Sequence, residues 1–333
     1  MNCPAAGPVI RPRRNRLNPA IRAMVRETDL GPADLVWPLF IHGKATVEDI
    51  PAMPGCQRHS LDSAVNVVGE AVALGIRAIA LFPAIADHHK DPDGTVGLDP
   101  DGLVPRCIRA LKSAYPHLVI IADVALDPYS SDGHDGVVRH GRIDNDASLP
   151  LLARLAVVQA QAGADVVAPS DMMDGRIHAV RAALDAANLA DTLICSYCAK
   201  YASAFYGPFR AALDSAPRAR ENIPGDKRTY QMDPANAREA LREAGLDEAE
   251  GADWLLVKPG LPYLDIIASL RAATTLPIAA YHVSGEYAML RAAAGHGWID
   301  YTAALMESLT ALRRAGAGMI FTYGAVDAAR ALA

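Results

Sequence analysis

The chain has 333 residues, 51% of them hydrophobic, so it can bury a large core as one α/β barrel or as two smaller domains. Its formal net charge of −6 offers no basic surface for nucleic acid, and no uninterrupted apolar run of about 18 residues could span a membrane. The five cysteines are odd in number and sparse, which indicates reduced thiols in a cytoplasmic protein.

Residues 1–30 are predicted to form an extended arm. Four prolines within the first 19 residues forbid one continuous helix. The segment 1–16 has no apolar stretch and is therefore not a secretory signal. A transit peptide would also be Arg-rich and acid-free, but this segment is short and lacks serine. Because an arm without a core of its own usually lies on a neighbour, residues 1–30 are expected to contact another subunit.

After the arm, apolar runs alternate with Ala-rich helical patterns, which predicts a (β/α)8 TIM barrel over residues 31–333. Each run is apolar nearly throughout, as in strands buried on both faces. A doubly wound sheet is the alternative, although no Gly-x-Gly-x-x-Gly follows a strand. The runs are 37–41, 77–84, 118–126, 164–170, 191–197, 254–259, 278–284 and 318–323. The helical patterns are 62–74, 102–114, 149–162, 176–188, 234–249, 262–272, 285–294 and 301–315.

Polar side chains recur where the predicted strands end. Catalytic groups of TIM barrels lie at the carboxyl ends of the strands, so these residues are expected to meet on one rim. They are Asp123, Asp127, Ser170, Asp171, Asp174, Tyr197, Lys200, Lys258, Ser284 and Tyr323.

Two lysines are conspicuous because the chain has only six, against 26 arginines. Lys258 ends the apolar run of segment 254–260, and Lys200 follows another in segment 193–201. Desolvation at the mouth of an apolar strand lowers the pKa of an ammonium, and a neutral amine attacks carbonyls as Arg cannot. The pair indicates Schiff-base chemistry on two substrate molecules. The alternative is that each is a snorkelling lysine or an ion-pair partner.

The segment 200–231 shows no clear strand or helix and combines aromatic with cationic residues. A loop this long inside a compact domain is usually a functional lid or disordered. We predict a lid over about 201–228 that closes on an anionic substrate, with Arg210 and Lys227 as carboxylate-binding candidates. A flexible basic surface loop is the alternative.

The segment 123–136 places four Asp and one His in a turn-rich loop. Carboxylate oxygens suit Mg²⁺ or a monovalent ion better than zinc. Asp127 and Asp135 are therefore candidate ligands of an active-site cation. The alternative is that Asp and Gly simply make turns here.

Several long stretches resemble the porphobilinogen synthase, or 5-aminolevulinate dehydratase, family. The resemblance runs from about Arg13 to the C-terminus. The stretches are Ala-Pro-Ser-Asp-Met-Met-Asp-Gly-Arg (168–176), Phe-Tyr-Gly-Pro-Phe-Arg (205–210), Tyr-Gln-Met-Asp-Pro-Ala-Asn (230–236), Glu-Gly-Ala-Asp (250–253), Val-Lys-Pro-Gly (257–260) and Val-Ser-Gly-Glu-Tyr-Ala-Met (283–289).

The resemblance implies a TIM barrel whose arm embraces a partner in a homo-octamer. It implies a lyase that condenses two 5-aminolevulinate molecules into porphobilinogen with loss of two waters, in tetrapyrrole (heme) biosynthesis, without an organic cofactor. Holding both substrates covalently makes the carbon–carbon bond formation intramolecular, which is worth about 7–11 kcal/mol.

The resemblance also assigns roles at two substrate positions, the P side and the A side. Lys258 matches the Schiff-base lysine of the P side, Lys200 that of the A side, and Asp123 a carboxylate that handles amino-group protons. The P-side carboxylate contacts are Ser284 and Tyr323; the A-side contacts are Arg210, Lys227 and Gln231; Tyr197 and Ser170 are further expected substrate-binding residues.

The metal sites differ from those of many relatives. Zinc-dependent members place three cysteines where this chain has Ala125, Asp127 and Asp135, so thiolate ligation is impossible and no catalytic zinc is expected. The chain resembles the cysteine-poor, magnesium-stimulated type, in which Glu243 matches a carboxylate that helps to hold an allosteric Mg²⁺ through waters. Asp132 stands where relatives usually carry His, which adds a carboxylate to the loop or only alters its turn.

Two other functions remain open. A class I aldolase-type lyase would use one lysine, against which the doubled lysines and doubled carboxylate contacts argue. A non-catalytic barrel kept for binding or assembly would not need either lysine.

Overall fold

The computed structural model describes residues 10–218 and 222–333, and within them eight parallel strands close into a barrel. The last strand pairs with the first through Leu35 with Ile320 and Val36 with Phe321, which closes the sheet. The predicted TIM barrel is thereby confirmed and the doubly wound alternative is wrong. The strands are β1 Leu35–His42, β2 Ala78–Ala84, β3 Val119–Val124, β4 Val166–Pro169, β5 Leu193–Lys200, β6 Trp254–Lys258, β7 Ile278–His282 and β8 Met319–Thr322.

Helices follow the strands and pack on the outside of the barrel. Two of them lie between β7 and β8, and one that was not predicted follows β8. They are α1 Leu61–Ala73, α2 Leu103–Ala114, α3 Asn145–Gln161, α4 Arg176–Ala186, α5 Arg238–Ala249, α6 Leu264–Ala273, α7 Ser284–Gly295, α8 Tyr301–Ala315 and α9 Ala325–Leu332. No helix in the described ranges is long and apolar enough to cross a membrane.

Each apolar strand contributes side chains to two layers of the core, one inside the barrel and one under the helices, because successive side chains point to opposite faces of the sheet. On β5, Cys195 and Tyr197 belong to the cluster inside the barrel, whereas Cys198 packs in the outer layer under the helices. Each fully buried large apolar side chain contributes about 1.5–3 kcal/mol. The continuous apolar composition of the strands is therefore explained by burial on both faces.

The lid segment contains regular structure that was not predicted. A 3-10 turn covers Ala204–Tyr206, and a short helix covers Gly207–Leu213. Ser203 Oγ accepts a hydrogen bond from the Phe205 amide at 3.1 Å and so caps the turn. Gly207 and Pro208 read as loop residues in the sequence, but Pro is favoured in the first turn of a helix.

The arm is nearly all exposed over residues 10–27. A 3-10 helix covers Pro12–Arg16 and a short α-helix covers Pro19–Met24, which Asn18 caps by accepting a hydrogen bond from the Ile21 amide at 2.9 Å. Residues 1–9 lie outside the described residues. Subunit contact by the arm stays a prediction.

Candidate active site

The two candidate lysines are neighbours on the rim of the barrel. Lys258 ends β6 and Lys200 ends β5, and the two residues are Cα partners in the parallel register. They are only 5% and 6% exposed. Because adjacent parallel strands end at the same edge, the sheet itself brings the two amines to one place.

Lys258 lies in an aromatic cage. Nothing in the described part of the chain forms an ion pair with its Nζ. Burial in the first place, and the charge of Lys200 in the second, lower the pKa of Lys258 to about 7. The amine is therefore substantially neutral near neutral pH and can act as a nucleophile. The ring centroids lie 4.5 Å (Tyr281), 4.9 Å (Phe209), 5.2 Å (Tyr197) and 5.4 Å (Tyr206) from Nζ.

Lys200 lies among hydrogen-bonding partners. Its Nζ donates to Asp135 Oδ1 at 3.1 Å and to the backbone carbonyl of Ser170. Burial acts to raise the pKa of Asp135, but Lys200 and Lys227 outweigh it and hold that pKa below its usual range. The amine of Lys200 is thus bound to an ionised carboxylate.

Lys227, from the lid segment, adds a second positive charge to this network. Its Nζ lies 3.1 Å from Asp127 Oδ2 and 2.9 Å from Asp135 Oδ2. Burial acts to lower the pKa of Lys227, but the two carboxylates raise it above its ordinary value. The Tyr230 hydroxyl donates to Asp135 Oδ2 at 2.8 Å. Lys227 thus ties the lid segment to the loop after β3, while Lys200 and Tyr230, which flank that segment, bind the same Asp135.

Asp123, on β3, has the properties of a proton carrier. Its Oδ1 is buried without a hydrogen-bond partner in the described ranges. Burial, followed by the charge of Asp127, raises the pKa of Asp123 to about 7, although Lys258 and Lys200 act in the opposite direction. A carboxyl group with this pKa can exchange a proton near neutral pH.

Most of the predicted site residues line one small cavity, whose volume is about 20 Å³. That volume holds about one water, so in this arrangement it is too small for a small-molecule substrate. The predicted residues that line it are Lys258, Lys200, Asp123, Asp127, Asp135, Ser170, Arg210, Lys227 and Gln231.

Ser284 and Tyr323, which were also predicted, are hydrogen-bonded to members of the aromatic cage and do not line this cavity. Ser284 Oγ accepts a hydrogen bond from the Phe209 amide at 3.0 Å. The hydroxyl of Tyr323 lies 3.0 Å from that of Tyr281. Both residues therefore contact members of the aromatic cage.

Three of the four cage rings were missed as site residues, and so were Tyr230 and Ser215; the fourth ring, Tyr197, was predicted. Tyr281 lies on β7 and faces inward, and strand alternation could have placed it. Phe209 lies in the stretch 205–210 that carried the family resemblance. Tyr230 directly precedes Gln231, but its contact with Asp135 spans 95 residues of chain and has no local signal.

The carboxylates predicted to bind an active-site cation are already paired with ammonium groups. Asp127 and Asp135 both contact Lys227. No group of three or more His, Cys, Asp or Glu side chains within residues 10–218 and 222–333 is arranged to hold a metal ion. A cation between the two aspartates would have to displace the Lys227 ammonium, and this arrangement does not fit one.

Glu243, on α5, lies away from the lysines. It is half-buried, and it lines a cavity of about 620 Å³ together with Asp174 and Glu239. Burial, and then the charge of Asp247, raises its pKa above the ordinary value. Arg142 and Arg228 line the same cavity, which is large enough for waters, so a hydrated Mg²⁺ held by Glu243 through waters stays a prediction.

Comparisons with known proteins agree with one family over nearly the whole chain. The family described as delta-aminolevulinic acid dehydratase matches residues 9–331. Chloroplastic delta-aminolevulinic acid dehydratases are 59% identical in Glycine max (97% of this chain, 77% of that protein) and 56% identical in Physcomitrium patens (98% and 76%). A Toxoplasma gondii ME49 delta-aminolevulinic acid dehydratase (porphobilinogen synthase) in complex with the reaction product porphobilinogen has a TM-score of 0.94 and 52% identity, with 96% of this chain and 91% of that chain covered.

The predicted cytoplasmic location is wrong. The plant relatives are chloroplastic, which points to a plastid. Sparse cysteines indicate a reducing environment, but this composition does not distinguish one reducing compartment from another.

Proposed function

The chain belongs to the delta-aminolevulinic acid dehydratase family, and we propose that Lys258 and Lys200 each form a Schiff base with one of two 5-aminolevulinate molecules. The enzyme is a lyase that condenses these two molecules into porphobilinogen with loss of two waters, on the route to tetrapyrroles such as heme. The observation that carries the mechanism is the pairing of two buried lysines on adjacent strand ends.

Lys258 is suited to react first, because its amine is already substantially neutral. The amine attacks the ketone carbon of the P-side substrate, and the carbinolamine loses water to give the C=N bond. Asp123, on the same cavity wall, can supply the proton that leaves with that water.

Lys200 must leave the Asp135 carboxylate before it reacts, because its Nζ donates a hydrogen bond to Asp135 Oδ1. Asp135 is a poor acceptor, since the two lysines hold its pKa low. Asp123 is the better acceptor on this cavity wall near neutral pH. We assign it the transfer of protons between the two amines.

Charged and polar residues supply the carboxylate contacts. Arg210, Lys227 and Gln231 line the cavity on the Lys200 side, where Lys227 would exchange Asp127 and Asp135 for a substrate carboxylate. On the Lys258 side the proposed contacts are Ser284 and Tyr323, with Tyr197 against the amine and Ser170 beside Lys200. Ser284 Oγ would exchange the Phe209 amide, and the Tyr323 hydroxyl that of Tyr281, for a substrate carboxylate.

We propose that segment 201–228, of which residues 219–221 lie outside the described residues, is the lid. It carries Phe209, Arg210 and Lys227 to the lysines, and the space it leaves is too small for substrate. Substrate entry therefore requires its displacement from the Asp127–Asp135 pair.

The chain is assigned to the cysteine-poor, magnesium-stimulated type on its Ala125, Asp127 and Asp135. Glu243 would hold the allosteric Mg²⁺ through waters beside Asp174 and Glu239. The ion would supply positive charge to a carboxylate-rich surface. Stimulation by Mg²⁺ that persists unchanged in Glu243→Gln would contradict this assignment.

The assembly is proposed to be a homo-octamer held by the arms. The exposed residues 10–27 support this, because the arm has no core of its own. Removal of residues 1–30 should dissociate the octamer, so that light scattering measures an assembly with fewer subunits. A full-length chain with the mass of a monomer would contradict the proposal.

The test of the mechanism is borohydride trapping with 5-aminolevulinate, followed by peptide mass spectrometry. Reduced adducts on Lys258 and Lys200 are expected, and the peptide with Lys112, which is paired with Asp165, serves as the internal control. Adducts on neither active-site lysine, or equally on Lys112, would remove the mechanism.

A further inference from the structure

We infer that the Ser215 hydroxyl is a further substrate-binding group, which donates a hydrogen bond to the carboxylate of the substrate on the Lys200 side. The inference rests on the proposed function. The family resemblance assigned Arg210, Lys227 and Gln231 to this carboxylate. Ser215 lines the same cavity and carries no assignment.

Ser215 is a buried donor without a partner. Its residue exposure is 0%, and its Oγ makes no hydrogen bond to any described residue. A buried polar group left unpaired costs about 1–3 kcal/mol, and native proteins seldom leave one so. Gln231 Oε1, on the same cavity, is also without a partner in the described ranges. Two such atoms facing one cavity indicate a place for a polar ligand.

Hydrogen bonds and close packing hold the backbone around Ser215, and this fixes where its side chain begins. The Ser215 amide donates to the Arg210 carbonyl at 3.2 Å, and the Arg218 amide donates to the Asp132 carbonyl at 3.1 Å. Gly133 has φ +72°, and a Cβ atom there would overlap the backbone of Ala216. The loop after β3 is therefore in direct contact with the segment that immediately follows Ser215.

Two cationic side chains hold the end of the short helix in place. Arg58 Nε donates to the Ala212 carbonyl at 2.6 Å, and Lys90 Nζ donates to the Asp214 carbonyl at 2.9 Å. These contacts join the segment before Ser215 to the barrel. With the lid segment in this position, Ser215 is accordingly held at several points.

The charges on this wall indicate which substrate group Ser215 meets. Arg210 and Lys227 line the cavity with it, and both are cations. A hydroxyl donor beside two cations suits an anion, and the charged group of 5-aminolevulinate that fits is its carboxylate. The space is now sufficient for about one water, which the carboxylate would replace when the lid segment moves.

The experiment compares Ser215→Ala with wild type on two ketones. One is 5-aminolevulinate, and the other is 1-amino-2-butanone, which lacks the carboxylate. For 5-aminolevulinate, the concentration that half-saturates adduct formation on Lys200 should rise roughly tenfold or more, as for the loss of one hydrogen bond to a charged group. For 1-amino-2-butanone it should not change. The melting temperature should not fall, because the substitution breaks no hydrogen bond within the described structure.

Ser148→Ala is the matched control. Its Oγ accepts from the Val137 amide at 2.9 Å and donates to the Asp144 carbonyl at 2.6 Å, and it lies outside the cavity. It should lower the melting temperature and leave half-saturation unchanged. Two results would overturn the Ser215 assignment alone, provided that the wild type makes porphobilinogen. One is an unchanged half-saturating concentration of 5-aminolevulinate in Ser215→Ala, and the other is an equal rise in that concentration for both ketones. A wild type that makes none would overturn the proposed function.

Discussion

The surroundings of the two active-site lysines differ although the residues are side by side. Lys258 is enclosed by aromatic rings, and burial lowers its pKa to about 7. Lys200 is bound to Asp135, whose second oxygen contacts Lys227. The end of β6 thus carries an amine that is substantially neutral near neutral pH, while the end of β5 carries an amine that is bound within a network of charged groups. The comparison teaches that burial can activate Lys258 because no carboxylate of the described residues lies within ion-pair distance of its amine.

The largest expected effect separates chemistry from stability. Lys258→Met keeps the side-chain volume but removes the amine, so porphobilinogen formation should fall by roughly 10⁵-fold or more, the scale of an intramolecular advantage. Its melting temperature should be unchanged or higher, because a buried amine without an ion-pair partner among the described residues is lost. Colorimetric assay of porphobilinogen and thermal unfolding check the two parts. A variant that is inactive only because it unfolds would contradict the comparison.

A second prediction addresses the charge network around Lys200. Asp135→Asn leaves two buried lysines without their shared carboxylate, and this should lower the free energy of unfolding by about 3–5 kcal/mol. Urea unfolding at neutral pH measures the loss.

Asp101→Asn is the control for that loss. Asp101 pairs with Arg109 at 3.1 Å, but its side chain is 85% exposed. Exposed pairs are worth only about 0–1 kcal/mol, so the control should change little. Similar losses in both variants would show that the Lys200 network has no special weight in stability.

Much of this arrangement was predictable, for reasons that are local in the chain. The strands and the positions of Lys200 and Lys258 at their ends follow from apolar runs, and the resemblance supplied roles. What could not be predicted depends on long-range approach. The pairing of Lys227 with Asp127 joins residues 100 positions apart, and the aromatic cage forms only when the short helix folds over β6. The helix Gly207–Leu213 was missed because Gly and Pro at its start resemble a loop.

A third prediction concerns pH. Since the Lys258 amine must be neutral, the rate of adduct formation on it should be low below pH about 7 and rise through that value to a plateau. Asp123 acts to raise the pKa of Lys258, so Asp123→Asn should move the midpoint to lower pH by roughly one pH unit. Trapping with cyanoborohydride across a pH series gives the midpoint, which belongs to the coupled pair of groups. A midpoint that is unchanged, or that moves to higher pH, would contradict the electrostatic effect of Asp123 on the pKa of Lys258.

The smallest expected effect tests the cage itself. Phe209→Leu removes one ring, whose centroid lies 4.9 Å from Lys258 Nζ, while it keeps an apolar side chain. Two consequences compete. Loss of the ring's attraction for a cation, about 0.5–2 kcal/mol, would lower the pKa of Lys258, whereas water admitted to the site would raise it.

Desolvation should win this competition, because it is the largest cause of the lowered pKa of Lys258 and can amount to several pH units at a fully buried group. The midpoint of adduct formation in Phe209→Leu should therefore move to higher pH, by less than the opposite displacement in Asp123→Asn. The same pH series measures both. A midpoint that moves to lower pH in Phe209→Leu would mean that the rings act on Lys258 mainly through cation–π attraction. The difference between Lys258 and Lys200 would then be one between two kinds of partner for a charged amine, and not one between a desolvated amine and a paired one.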